Sequence, residues 1–167
     1  VDTGEFSSTS TSFDENNARD AGGAIHLTSV VSAEIIDSTF DGNEVAASTS
    51  SGGAVFAAGT ELLLNSSTFT NNRSGNFGGG VASVSSDLSG TDVRLQYNTT
   101  TGIGGGLYST GGTVMLTATT LEWNEGLEGG AGLAAIATDV SITDSLVDWN
   151  TSAGGYGGGL HLTDTNS

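Results

Sequence analysis

Short runs in which apolar and polar residues alternate recur along the chain at a nearly fixed interval. One apolar column is Phe13, Phe40, Phe69, Leu95, Leu121 and Val147. Seven residues before it lies a second, Phe6, Ala33, Leu62, Leu88, Val114 and Val140, and two residues after that a third, Ser8, Ile35, Leu64, Gly90, Leu116 and Ile142. Spacing by two is the strand period, because successive side chains of a strand point to opposite faces. No stretch of helical length repeats apolar residues at i, i+3, i+4 and i+7. Each repeat therefore predicts three short strands. The first centres on Val140 to Ile142 and its equivalents, the second runs into the Phe/Leu column, and the third follows a small-residue triplet.

Two markers fix the repeat. Asn stands three residues after the Phe/Leu column, at Asn16, Asn43, Asn72, Asn98, Asn124 and Asn150, with spacings of 27, 29, 26, 26 and 26. The triplet and its branched apolar residue run from Gly22-Gly23-Ala24-Ile25 to Gly157-Gly158-Gly159-Leu160. A unit this short cannot bury its own apolar face, whereas stacked units can, each hydrogen-bonded to the next at about 4.8 Å. The predicted architecture is all-β: a single-stranded parallel β-helix, right-handed as such helices commonly are, of six coils of about 26 residues. Residues 1–167 form one domain without a linker, a rod on the order of 30 Å long. Asn tolerates a left-handed corner, and six stacked amides can form a ladder. Gly triplets allow positive φ and close backbone approach at the opposite corner. Phe13, Phe40 and Phe69 are expected to stack inside. Thr11, Ser38, Ser67, Val93, Thr119 and Ser145 form a second, mostly polar column.

Composition narrows the function. The chain has 27 Gly, no Pro, no Cys and a net charge of −16, with Arg19, Arg73 and Arg94 as its only basic residues apart from two His. Such a charge repels nucleic acid and anionic membrane surfaces. Lack of Cys and Lys removes disulfides, thiolate chemistry and lysine catalysis. No apolar run is long enough to span a bilayer. The sequence opens on Val1, the mark of a processed product or an excised segment. An acidic, Ser/Thr-rich, Cys-free surface suits an extracellular or cell-surface location.

G-G-A-[ILV] with F-x-x-N resembles the repeats of chlamydial polymorphic outer-membrane proteins and of related bacterial β-helix surface proteins. The likeness is clearest in Phe13–Asn16, Phe40–Asn43 and Phe69–Asn72, with Gly22–Ile25 and Gly52–Val55. It implies an extracellular adhesive or structural passenger.

Candidate chemistry is sparse. Tyr97, Trp123 and Trp149 precede the ladder Asn in the last three repeats. Either they form a strip on which a glycan stacks, or they restore core volume where Phe gives way to Leu and Val. Asp14 with Asp41, and Glu122 with Asp148, should lie about 5 Å apart on adjacent coils, suited to calcium or to a glycosidase pair, or simply to a solvated acidic face. His26 and His161 share an outward column with Phe56 and Tyr108, in the first and last coils. Asn65 is the sequon outside the Asn ladder. No catalytic constellation and no required cofactor emerges.

The ends of the rod point to its use. Residues 1–5 and Thr163–Ser167 are too short and polar for an obvious cap, and the coils are in phase from end to end. The leading expectation is a non-enzymatic extracellular structural protein that joins head to tail into filaments. Alternatives are an adhesin segment contacting cell-surface or matrix components, and a polysaccharide-binding or glycoside-processing module.

Overall fold

The computed structural model describes residues 4–164. Among these residues it is a parallel β-solenoid of six coils with no helix, built from four six-stranded sheets. The fourth coil is representative, with strands at Asp87–Thr91, Arg94–Gln96, Thr99–Thr100 and Leu107–Thr110. Each strand of an inner coil pairs with its equivalents one coil below and one coil above, and those of the first and sixth coils pair on one side. The Phe/Leu column is in register throughout, Phe13 on Phe40, Phe69, Leu95, Leu121 and then Val147.

The three longer strands of each coil are those the alternation predicts. A fourth, such as Thr99–Thr100 or Glu125–Gly126, is added immediately after the ladder Asn. Two residues are too few to show a period of two, so this strand leaves no trace in the hydrophobic pattern.

Corners separate the strands, and each coil has four of them. In the fifth coil they are Ala118, Trp123, Gly130 and Ala137, all with φ between 49° and 56°. This left-handed conformation corrects one expectation: the ladder Asn do not occupy it. The residue before each does, namely Glu15, Gly42, Asn71, Tyr97, Trp123 and Trp149. The reason is directional. The corner residue projects outward, and the chain then dips so that the following Asn points into the rod.

The Asn ladder itself is present. From Asn16 to Asn124, each Nδ2 donates to Oδ1 of the Asn in the next coil at 2.9–3.0 Å. The same Oδ1 accepts the backbone N–H of the lower Asn at 2.9–3.1 Å. From Asn43 upward, the second Nδ2 proton goes to the carbonyl of the Phe/Leu column one coil below, at 2.7–3.0 Å. Asn43, Asn72, Asn98 and Asn124 are fully buried, and this network meets their polar demand. The hydroxyl column works alike: Ser38 Oγ accepts from Thr11 N–H and donates to the Ile36 carbonyl.

Inside, Phe13, Phe40 and Phe69 stack at 4.6 Å with rings within 8° of parallel. Aliphatic columns from the first, second and fourth sheets complete this core. The triplet corner requires Gly sterically. A Cβ on Gly78 would stand 2.2 Å from the Val81 carbonyl oxygen, and one on Gly79 would stand 2.3 Å from that of Gly105.

The outer face of the fourth sheet departs from expectation. His26 is exposed there, but Tyr108, Ala82 and Ala134 are buried and His161 is half-buried. Phe77 and Ile103, just before the triplets, fold over this face and make a small second core, with Phe77 stacked on Tyr108 at 4.5 Å. Burial pushes the Tyr108 phenol above its ordinary pKa of 10.0, opposed by its hydrogen bond with Thr110. The expectation of uncapped ends falls partly on residues 1–3 and 165–167, which lie outside the described residues.

Candidate functional site

Tyr97, Trp123 and Trp149 stand at successive left-handed corners, with φ of 57°, 56° and 51°. A bulky side chain rarely adopts this backbone, and the strain is on the order of 1–3 kcal/mol per residue. Corner geometry turns all three rings out of the core. They are 52%, 44% and 64% exposed, which overturns the expectation that they restore core volume. A Cβ on Gly80 would stand 3.3 Å from Leu95 Cδ2 and one on Gly159 3.1 Å from Val147 Cγ1, so the interior beside these slimmer residues has little room to spare.

The rings form an external ladder. Trp123 and Trp149 are parallel within 4°, centroids 5.0 Å apart, and Tyr97 and Trp123 lie within 11° at 6.3 Å. The longer separation exceeds one coil rise of about 4.8 Å, so those two rings are slipped sideways and leave part of each face uncovered.

A shallow groove of about 440 Å³ lies along the same coils. Its floor is the outer face of the third sheet, where Arg73, Thr99, Glu125 and Thr151 form one in-register column. Leu127, Thr101 and Ala153 also line it. The aromatic corner is two residues upstream of Thr99, Glu125 and Thr151 along the chain, but none of the three rings lines the groove. Sequence reading missed the groove residues, since the third-sheet strands have no legible period. Arg73 Nη1 lies 3.4 Å from Glu44 Oε1 in a solvent-exposed pair. Arg94 is in the second sheet, in a different column.

The acidic pairs are in register, Asp14 beside Asp41 and Glu122 beside Asp148. Their carboxylates accept hydrogen bonds locally. Asp41 Oδ1 takes Thr70 Oγ1 at 2.9 Å and Asn71 Nδ2 at 2.8 Å. Asp14 Oδ2 takes Ser12 Oγ at 2.7 Å, Glu122 Oε2 takes Gln96 Nε2 at 2.8 Å, and Asp148 Oδ1 takes Trp149 N–H at 2.9 Å. Among the described residues no three His, Asp or Glu side chains converge on one point. Among the described residues no helix is long and apolar enough to cross a membrane.

The chain matches no family model, no curated protein and no solved structure.

Proposed function

We propose that this chain is a non-enzymatic structural rod of the extracellular or cell-surface space, which joins head to tail with a second copy of itself. The reading is supported by the match between the first and sixth coils. Among the described residues, Asn16 Oδ1 accepts no hydrogen bond and Asn150 N–H finds no acceptor. A first coil set on a sixth coil would join these groups in the pattern every internal coil uses. Asn16 Nδ2 would meet the Val147 carbonyl, and Ser145 N–H would meet Thr11 Oγ1. Phe6 and Phe13 would cover Val140 and Val147, which are half-buried, and Leu160 and Leu162 would lose their exposure of 37% and 44%. Among the described residues, the first and sixth coils also present open parallel edges, which template further pairing.

Repeated along the axis, such a heterologous contact yields an open filament. The resemblance to bacterial β-helix surface repeats supports the same location. Negative-stain electron microscopy of the purified chain tests the reading. Rods in multiples of one subunit length are expected, and Asn150→Asp, which sets a charge against Asn16 of the next copy, shortens them. Monodisperse single rods across salt concentrations would overturn it.

A further inference from the structure

Beyond that structural role, we propose that the exposed ladder of Tyr97, Trp123 and Trp149 and the outer face of the third sheet, which follows it in each coil, together bind a linear, uncharged polysaccharide.

Two features coincide in the fourth, fifth and sixth coils. The first is the aromatic ladder. The same corner holds Glu15, Gly42 and Asn71 in the first three coils, so the fold has no need of a ring there. Three successive coils nonetheless carry the largest side chains in a strained conformation, exposed to solvent. A strained, exposed and solvent-facing residue points to use of its surface. The second is the groove, whose column of Thr99, Glu125 and Thr151 occupies those same three coils, with Arg73 at its lower end.

The chemistry of the two sides differs in the way a sugar does. A pyranose ring has an apolar C–H face and a rim of hydroxyls. The slipped faces of Tyr97 and Trp123, and the more open Trp149, suit the apolar face. Two hydroxyls, a carboxylate and a guanidinium suit the rim, as acceptors and donors. The groove is open along the rod axis and its polar groups repeat about every 4.8 Å, close to the length of one sugar unit, so a linear chain fits better than a compact ligand. Charge selects within this class. With −16 overall and Glu122, Glu125 and Asp148 beside the rings, uronate or sulfated polymers and nucleic acid are repelled.

The chain's two Trp are both in the ladder, so intrinsic fluorescence reports on the site directly. Cello-, xylo-, manno-, malto- and N-acetylchito-hexaose are titrated against the intact chain, with hexagalacturonate and hexalysine as charged probes. Saturable fluorescence change with at least one uncharged hexaose, and none with hexagalacturonate, is expected. Trp123→Gly relieves the corner strain and keeps the fold, as checked by circular dichroism; with Trp149 still reporting, it weakens binding about tenfold. Glu125→Gln and Thr151→Ala each weaken it severalfold, while His26→Ala, on another face, leaves it unchanged. The proposal is overturned if no uncharged hexaose produces a saturable change, if hexalysine alone does, or if Trp123→Gly binds as well as the parent.

Discussion

At a buried ladder position a single side chain serves both its neighbours. Asn98 Oδ1 accepts two donors from Asn72, and its Nδ2 donates to Asn124 Oδ1 and to the Phe69 carbonyl. Truncation strands the Asn72 N–H and Nδ2–H in a water-free interior, at about 1–3 kcal/mol for each unsatisfied group. Asn98→Ala should therefore destabilise by about 3–5 kcal/mol, whereas Asn16→Ala, on an exposed side chain of the first coil, should cost about 1 kcal/mol or less. Urea midpoints of the two variants check this; equal shifts would refute the ladder as a major source of stability. Tyr108 carries a pH dependence of a different kind. Its phenol is held protonated above the ordinary pKa of 10.0, mainly by burial. The unfolded chain releases that proton first, so the stabilisation is complete below pH 10 and is lost as pH rises through the folded value. Tyr108→Phe should flatten the fall in urea midpoint between about pH 9 and pH 11 relative to the parent. An identical fall in both proteins would assign the alkaline loss to other groups.

At the scale of strands and corners, one rule organises the coil: a left-handed residue, then an inward residue, then a strand. The triplet corner adds to this rule a close backbone contact with the next coil. Gly79→Ala would drive a methyl group toward the Gly105 and Thr99 carbonyl oxygens, both backbone, so the coil spacing itself must yield. Gly59 is also left-handed, but a Cβ there meets nothing within 4 Å. Gly59→Ala should cost only the conformational preference, about 1 kcal/mol, and Gly79→Ala several times more. Comparing their melting temperatures tests whether close approach or φ dominates at the triplet. The same rule explains what was legible in the sequence. Alternation and the Asn and Gly markers exposed the repeat, the coil number and the three long strands, because each is a periodic demand of burial. The corner residues were not legible by type: Ser, Asp, Ala, Tyr and Trp all occupy them, since their side chains leave the rod and meet no common partner. Hence Asn was credited with a corner held by its neighbour, and the aromatic column was open to a core reading. The groove lies on the two-residue strand, where no period can be read. The cover over Tyr108 did have a signal, the apolar Phe77 and Ile103 before the triplets, but one residue per repeat does not declare its direction.

At the scale of the whole rod, shape and charge act against each other. Side-by-side contact brings many carboxylates together along the length of the rod. End-to-end contact joins matching coils over a small cross-section, and only the charges near the junction oppose it. Asp14 and Asp148 would become neighbours at that junction, continuing the column in which Asp14 already pairs with Asp41 and Glu122 with Asp148. Their repulsion is screened over about 10 Å at 0.1 M salt, so monovalent salt should accelerate elongation and leave lateral bundling weak. A divalent cation can do more, because it can sit between the two carboxylates instead of merely screening them. Light scattering at matched ionic strength separates the contributions. If sodium and calcium chloride promote growth equally, the junction responds to screening alone. Faster growth in calcium that disappears in Asp14→Asn would make the interface pair a cation site created by assembly. Growth indifferent to both salts would contradict an electrostatic barrier at the ends and, with it, the proposal that the −16 charge directs these rods to join by their coils.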